Sequence, residues 1–295
     1  MRSVDLSDTE CAIAQALGVV GDWWTLLVVR DVAGGVHRFD ALQAELGVSR
    51  KVLTERLKAL VDHGVLEKRL YHEHPPRHEY HLTTAGHGLL PVLVALQDWG
   101  SRYVMGDGSL TATTGSDTLE ARRVHSLVGT RVPPLHLTSV GGAPTDVVGS
   151  ARWTVLYCFP GAYAPGPTAY PPGWSDIPGT SGCTLESRTF RDRIGDFAAR
   201  GADVVGVSTQ RPDELEAFAR SQDIGFPLLS DADLDLVTAL RLPTFRAVGV
   251  DRLKRLTLLL DRERIVRGVL YPITDPAGSV NDVLAMLDAR AHPAA

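Results

Sequence analysis

A polar interruption divides this chain into two regions that can each bury a core. Apolar residues recur at regular spacing from about Ala12 to Val104, and the pattern then stops at the Gly/Ser/Thr/Asp-rich sequence MGDGSLTATTGSDTLE. Patterning resumes at Val124, and 295 residues exceed the usual size of a single core. We therefore predict three segments: a domain at 1–105, a linker at 106–123 and a second domain at 124–295.

Composition limits the class of protein. Hydrophobic residues make up 44% and charged residues 22%, the ordinary balance of a packed domain. No stretch approaches the roughly 20 apolar residues of a membrane helix, and MRSVDLSDTE does not resemble a secretory signal, so we expect a cytoplasmic protein without membrane association. A net charge of -5 gives no support for nucleic-acid binding, which would need a local basic surface.

The cysteines are few and odd in number: Cys11, Cys158 and Cys183. In a reducing compartment such a set favours catalytic or sensing thiols over a disulfide framework. No cluster of metal ligands is evident, and the histidines near His74 belong to a predicted hairpin, so we expect neither cofactor nor metal.

Helical spacing in the first region predicts a helix-turn-helix. The sequence from Phe39 to Leu46 predicts a short helix, Gly47 a turn, and Ser49 the start of a second helix. The apolar stripe of that helix is Leu53, Leu57, Leu60 and Val61. Its outer face carries donors for phosphates or base edges: Ser49, Arg50, Lys51, Thr54, Arg56 and Lys58. The alternative is an ordinary solvated helix face.

A predicted hairpin follows this helix. Strands are expected at Val65 to Tyr71 and at His78 to Thr83, joined by the rigid polar sequence HEHPPR. Such a wing would contact backbone phosphates through Lys68, Arg69, His74 and Arg77. A wing beside the second helix favours DNA binding over the solvated-face alternative.

Nearly all of residues 10–103 resembles the HxlR family of transcriptional regulators. The resemblance rests on GDWWTLLVVRDV, RFDALQAELGVSRKVLTERLKALVDHGVLEKRLY and PPRHEYHLTTAGHGLLPVLVALQDWG. It implies a homodimer formed by the helices Cys11 to Leu17 and Thr84 to Tyr103, which binds a pseudo-palindromic operator with half-sites roughly 34 Å apart. Asp22-Trp23 replaces a common Lys-Trp pair. Cys11 is either a small buried hydrophobe or, as in some members, a redox sensor.

Patterning in the second region predicts alternating strands and helices. The apolar run from Trp153 to Phe159 ends at Pro160, which is typical of a buried parallel strand entering a loop. An amphipathic helix is expected from Cys183 to Gly201. A thiol at a helix start is exposed to the positive end of the helix, so we expect Cys183 to favour the thiolate.

The strings GCTLESRTFRD, GVSTQ and FPLLSD, with a hairpin and a final helix after them, resemble the thioredoxin-fold peroxiredoxins over about 127–290. The whole chain is thus predicted to be a mainly α winged helix-turn-helix followed by an α/β thioredoxin-like domain. The resemblance implies a role for each matching residue: Cys183 as peroxidatic cysteine, Thr180 as a hydroxyl that bonds the peroxide, Arg255 as the thiolate partner, Glu186 as a carboxylate orienting that arginine, and Pro160 as a shield of the thiolate.

The resolving step is left open by the sequence. Arg188 stands where the family often has a resolving cysteine, and Cys158 lies in a predicted core strand. Cys11 or an external thiol is then expected to reduce the sulfenic acid formed at Cys183.

Three functions fit these patterns. The main hypothesis is a redox-responsive regulator in which oxidation of Cys183 changes DNA binding, with double-stranded DNA, a peroxide and a thiol reductant as partners. The second is a thiol peroxidase with an accessory DNA-binding domain. The third is a plain regulator whose C-terminal domain is an inert interaction module.

Overall fold

The computed structural model describes residues 10–166 and 170–291, and it separates into two compact units, Met1–Leu93 and Val94–Ala295.

The N-terminal unit contains helices and one hairpin. In chain order the elements are α1 (Ala12–Val20), α2 (Trp23–Ala33), α3 (Phe39–Leu46), α4 (Arg50–Asp62), β1 (Leu66–His72), β2 (Arg77–Leu82), α5 (Thr84–His87) and the start of α6 (Leu90–Trp99).

The predicted helix-turn-helix forms for local reasons. Helix α3 ends at Gly47, whose φ of 65° is the left-handed conformation that glycine adopts without strain. Helix α4 begins after Ser49, whose Oγ accepts a hydrogen bond from the Val52 amide at 3.3 Å. Leu53, Leu57 and Leu60 are fully buried, as predicted, in a core shared with α2. The two predicted strands pair antiparallel, with Leu66 opposite Leu82.

The C-terminal unit is an α/β domain. Its elements are the rest of α6, a π-helical turn (Gly100–Val104), α7 (Leu119–His125), β3 (His136–Ser139), β4 (Pro144–Asp146), β5 (Trp153–Cys158), a 3-10 turn (Trp174–Asp176), α8 (Cys183–Asp192), α9 (Ile194–Ala199), β6 (Ala202–Ser208), α10 (Pro212–Gln222), β7 (Leu228–Ser230), α11 (Asp235–Leu240), β8 (Thr244–Ala247), β9 (Val250–Leu253), β10 (Leu256–Asp261), β11 (Val266–Leu270) and α12 (Gly278–Ala291).

Seven strands form one sheet in the order β11-β10-β5-β6-β7-β3-β4. β5, β6 and β7 run parallel, and β10 pairs antiparallel with β5. Tyr157 and Phe190 pack on one side of the sheet, while Leu156 and Cys158 face a second apolar layer on the other side. Strands β8 and β9 form a separate hairpin. The thioredoxin-like α/β fold predicted from the sequence is confirmed.

The helix expected from Cys183 to Gly201 is two helices. α8 ends and α9 begins at Arg193, a residue with φ -105° and ψ 10°. The prediction of one helix was wrong because the apolar spacing continues across the break, so periodicity alone does not report it.

The helix expected from Thr84 to Tyr103 is also divided. α5 ends at His87, and α6 starts at Leu90 and gives way to the π-helical turn at Gly100. Gly88 lies at the first break and Gly100 at the second, where glycine weakens a continuous helix.

The segment 106–123, expected to be a linker, is packed as part of the C-terminal unit. Ala112 is 1% exposed and lies in a cluster with Trp174 and Phe245, and α7 begins at Leu119, inside the expected linker. The prediction of a linker rested on the polar composition of this segment, and composition does not show that a few small apolar side chains in it are buried.

Among residues 10–166 and 170–291, no single helix is long and apolar enough to cross a membrane. Helices α1 and α2 pass the length and composition test only as a pair bent by 74°.

Candidate functional site

Cys183 lies at the first residue of α8. The preceding Gly182 has a φ of 98°, and a Cβ at that position would lie 2.6 Å from Cγ of Pro276. Only glycine fits this turn, so the sequence GCT allows the helix to begin at the thiol. Cys183 is 2% exposed, and a cavity of about 470 Å³ lined by Trp174, Thr180 and Gly182 lies at this loop.

Three groups contact the sulfur of Cys183. Arg255 Nη2 lies 3.3 Å from Sγ, and the Gly161 amide donates a hydrogen bond to it. The thiol itself donates to the Thr180 carbonyl at 3.4 Å. Two donors therefore converge on the sulfur, which suits the anionic form of the side chain.

Arg255 contacts the carboxylate of Glu186 as well as the sulfur of Cys183. Its Nη1 donates to the Glu186 carboxylate, and its Nη2 also donates to the Ser181 carbonyl at 2.9 Å. Glu186 is fully buried, and Arg255 directly precedes β10, the strand that pairs with β5. Glu186 thus fixes the guanidinium in the orientation that reaches Cys183.

The expectation of a favoured thiolate needs correction. Burial raises the pKa of Cys183 above its ordinary value of 9.0, although Arg255 and the Gly161 amide oppose the rise. Burial also raises the pKa of Glu186, to about 7. Arg255 is the one positive charge in contact with both acidic groups, Glu186 and Cys183. When Glu186 is ionised, its negative charge already balances Arg255, so a thiolate at Cys183 would add a second negative charge that is not compensated.

Thr180, three residues before Cys183 in the sequence, is buried, and its hydroxyl group points to backbone carbonyls. Its Oγ1 donates to the carbonyls of Trp174 at 2.7 Å and Ile177 at 2.8 Å. With its proton occupied, Oγ1 retains lone pairs, so it can accept a hydrogen bond from a peroxide but not donate one.

Pro160 is buried at the end of β5, next to Gly161, whose amide contacts the sulfur. The loop that follows β5 therefore reaches Cys183 through the Gly161 amide, and the shielding role expected of Pro160 stays a prediction. Sequence reasoning missed Gly161, because a backbone amide leaves no side-chain signal.

Cys158 and Cys183 lie in different apolar layers on opposite sides of the sheet. Burial raises the pKa of Cys158 strongly, which makes it an unreactive core thiol. Arg188 is exposed on α8, and Cys11 is an exposed free thiol just before α1. Within the described residues, no group of three His, Cys, Asp or Glu side chains could hold a metal ion.

The predicted outer face of α4 is solvent-exposed except at Arg56, which is half-buried. Most of its cations already have acidic partners: Arg50 with Asp40 at 3.1 Å, Arg56 with Asp22 at 3.0 Å and Lys58 with Asp62 at 2.6 Å. Thr54 donates to the Arg50 carbonyl. Asp22, which stands where the HxlR family often has a lysine, therefore also holds Arg56 against the start of α2.

The four wing residues are all exposed on β1, β2 or the turn between them: Lys68, Arg69, His74 and Arg77. Arg69 pairs with Glu67 at 2.6 Å, and Lys68 lies over the Tyr80 ring. These contacts leave the charges at the surface, where phosphates could compete for them.

Two protein families match separate parts of the chain. Residues 19–107 match the HxlR-like helix-turn-helix family, and residues 174–269 match the AhpC/TSA family. An uncharacterised HTH-type transcriptional regulator of Mycobacterium tuberculosis is 42% identical over 93 residues, which are 32% of this chain and 59% of that protein. The chain thus spans less than two thirds of that relative.

The C-terminal unit has its own relatives. A candidate peroxiredoxin of Mycobacterium tuberculosis is 47% identical over 60 residues, which are 20% of this chain and 38% of that protein. The crystal structure of peroxidoxin BcpB from the same organism is 26% identical and covers 55% of this chain and 96% of its own, with a TM-score of 0.46.

Proposed function

Since the chain belongs to the HxlR-like helix-turn-helix family through its N-terminal part and carries an AhpC/TSA peroxiredoxin-like domain in its C-terminal part, we propose that it is a redox-responsive DNA-binding regulator. Its sensing residue is Cys183. The observation that carries the proposal is the 3.3 Å contact between Arg255 Nη2 and the Cys183 sulfur, on the same polypeptide as a helix-turn-helix. We place the protein in the cytoplasm, where DNA and reducing thiols are both present.

The reaction is a two-electron oxidation of sulfur. The Cys183 thiolate attacks one peroxide oxygen, the S–O bond forms as the O–O bond breaks, and the leaving oxygen takes a proton to depart as water or an alcohol. Arg255 stabilises both the thiolate and the charge that develops on the leaving oxygen. Two equivalents of an external thiol then return the sulfenic acid to the thiol, releasing water and a disulfide of the reductant.

A contact in the C-terminal unit supports coupling between oxidation and the rest of the chain. The Ala112 amide donates to the Pro178 carbonyl at 2.8 Å, two residues before Thr180. A Cβ on Gly179 would lie 2.9 Å from Cβ of Thr113. The segment 110–113 thus packs on the loop that leads to Cys183, and movement of that loop on oxidation would move the segment.

DNA binding is assigned to the α4 face and the wing. The proposed residues are Ser49, Arg50, Lys51, Thr54, Arg56 and Lys58 on α4, with Lys68, Arg69, His74 and Arg77 on the wing. Apolar side chains on α1 and α6 support a homodimer, since Ile13 and Leu17 are 72% and 52% exposed and Val92 and Leu96 are each 52% exposed. A twofold dimer would bind a pseudo-palindromic operator.

The first test is peroxide consumption by reduced protein beside Cys183→Ser, with mass spectrometry of all three cysteines. The proposal expects rapid consumption by the wild type, loss in the variant, and a sulfenic acid on Cys183. Binding sites are then selected from a random DNA library with the reduced and the oxidised protein. Affinity for the selected DNA is expected to change on oxidation, and Cys183→Ser is expected to show no change.

The two alternative functions predict different results in these experiments. Peroxide consumption with DNA affinity that is equal in both redox states identifies a thiol peroxidase with an accessory DNA-binding domain. Negligible consumption identifies an inert C-terminal module, and a redox response that survives in Cys183→Ser but not in Cys11→Ser assigns the sensing to Cys11.

A further inference from the structure

Arg252 is a buried cation that has no counter-ion among residues 10–166 and 170–291. It is 6% exposed on β9, and within the described residues no acceptor bonds its Nε or Nη1 atoms. Buried guanidinium groups in folded proteins are normally paired, because an unpaired one costs several kcal/mol. Such a group points to a missing partner.

The nearby acids already have partners. Asp251 accepts two hydrogen bonds from Arg246, each 2.9 Å long. Glu214 accepts from the Arg211 amide at 3.0 Å and lies 3.5 Å from its guanidinium. The positive charge of Arg252 is therefore not neutralised by these neighbours.

Two further unsatisfied donors lie beside Arg252. Its guanidinium carbon is 6.0 Å from the ring centroid of Trp174, whose buried Nε1 has no partner in the described residues. The Trp174 ring meets the Tyr163 ring edge-on at 6.3 Å, and the buried Tyr163 hydroxyl also has no partner there. Burial raises the pKa of Tyr163, and the nearby charge of Arg252 opposes the rise. Three adjacent side chains thus present donors without acceptors.

This group lies next to the reactive sulfur. A Cβ on Gly161 would lie 3.4 Å from the Tyr163 hydroxyl, and the Gly161 amide bonds the sulfur of Cys183. Trp174 also lines the cavity at Thr180. A molecule bound by Arg252, Trp174 and Tyr163 would therefore lie beside Cys183.

We infer that Arg252, Trp174 and Tyr163 form a subsite for the carboxylate of a small organic molecule that reacts at Cys183. The single uncompensated charge matches a monoanion better than a phosphate dianion, and N–H and O–H donors match carboxylate oxygens. The inference rests on the proposed reaction at Cys183. The carboxylate belongs either to the hydroperoxide or to the thiol that reduces the sulfenic acid.

Binding is tested first, on the full chain and without any reaction. Calorimetric titration with benzoate, its neutral analogue benzamide and inorganic phosphate is expected to show benzoate bound at least tenfold more tightly than either of the others. Arg252→Met is expected to weaken benzoate binding at least tenfold, while Arg220→Gln, which removes an exposed charge from α10, leaves it unchanged. Equal binding of benzoate and benzamide, tighter binding of phosphate, or unchanged binding by Arg252→Met overturns the inference.

Two further variants test the subsite independently, in case Arg252→Met does not fold. Trp174→Phe and Tyr163→Phe each remove one donor and keep an aromatic ring. Each is expected to weaken benzoate binding at least threefold, and unchanged binding in both overturns the assignment.

Two pairs of compounds, each an acid and its uncharged derivative, identify the molecule that carries the carboxylate. Linoleic acid hydroperoxide is compared with its methyl ester in the oxidation of Cys183, and N-acetylcysteine with its amide in reduction of the sulfenic acid. A tenfold preference for the acid in the first step assigns the site to the hydroperoxide, and in the second step to the reductant. Equal rates in both steps overturn a role in the reaction. If Cys183 does not react at all, the proposed function fails, and the benzoate titration still decides whether the subsite exists.

Discussion

Arg255 lies between two acids, with Nη2 3.3 Å from the sulfur of Cys183 and Nη1 bonded to the carboxylate of Glu186. All three side chains are buried. One positive charge cannot neutralise two anions in a medium of low polarity, so the charge state of Glu186 controls how much of Arg255 is available to the thiolate.

Glu186→Gln is expected to lower the pKa of Cys183, because it removes the carboxylate that competes for Arg255. The pKa of Glu186 is about 7, so the two proteins should differ above pH 7 and converge below it. The pH dependence of Cys183 alkylation by iodoacetamide measures this. Glu216→Gln, on the exposed side of α10, is the control, and an unchanged or higher midpoint in Glu186→Gln contradicts the argument.

The rate of Cys183 oxidation is expected to rise with pH up to at least pH 9. Burial holds the pKa of this thiol above its ordinary 9.0, so the thiolate fraction grows by up to about tenfold per unit below that value. Near pH 7 the rise should be shallower, since ionisation of Glu186 opposes that of Cys183. Stopped-flow measurement of peroxide consumption tests this, and a plateau reached below pH 7 would show a low-pKa thiolate instead.

Arg255→Lys is expected to slow Cys183 oxidation at least about 100-fold. A lysine ammonium is a point charge without the planar fork that reaches Glu186 and Cys183 together, so positioning and charge stabilisation at the sulfur are lost. Rates with hydrogen peroxide measure the effect, and Arg220→Lys serves as a matched surface change. A loss of less than threefold would mean that Arg255 is not the thiolate partner.

Ala112→Glu is expected to release the segment 110–113 from its packing on the loop that leads to Cys183. Ala112 is buried beside Trp174 and Phe245, where a carboxylate has no room and no partner. Limited proteolysis should then cut the segment faster, and the redox dependence of DNA binding should disappear while Cys183 still reacts with peroxide. Ser109→Glu, at an exposed position just before the same segment, is the control, and a redox response retained in Ala112→Glu would exclude this segment as the coupling element.

Lys51→Ala and Arg56→Gln are expected to act differently on DNA binding. Lys51 is exposed on α4, so its loss should reduce the salt dependence of log K by about 0.9 per phosphate contact. Arg56 is half-buried against Asp22, so its loss should mainly lower the free energy of unfolding, by about 0.5 to 1 kcal/mol. Salt titrations of operator binding and urea unfolding separate the effects, and equal salt slopes for Lys51→Ala and wild type would remove Lys51 from the DNA contacts.

Local patterns predicted much of the fold. The helix-turn-helix, the wing and the strand before Pro160 depend on residues close in sequence, namely capping by Ser49, the left-handed Gly47 and an apolar run. The break at Arg193 and the short hairpin of β8 and β9 were missed, because neither interrupts the apolar spacing and both depend on packing against distant residues.

The sequence by itself determined the likeness to two families and the two folds, and it predicted Cys183 as the reactive thiol, because these depend on motifs and periodicities within short stretches. The tertiary structure decided the raised pKa of Cys183, the division of Arg255 between two acids, the pairing of Arg56 with Asp22 and the burial of Arg252 without a partner among the described residues. Each of these depends on burial and on neighbours far apart in the chain. Electrostatic free energy is set by distance and solvent exposure in space, and sequence spacing reports neither.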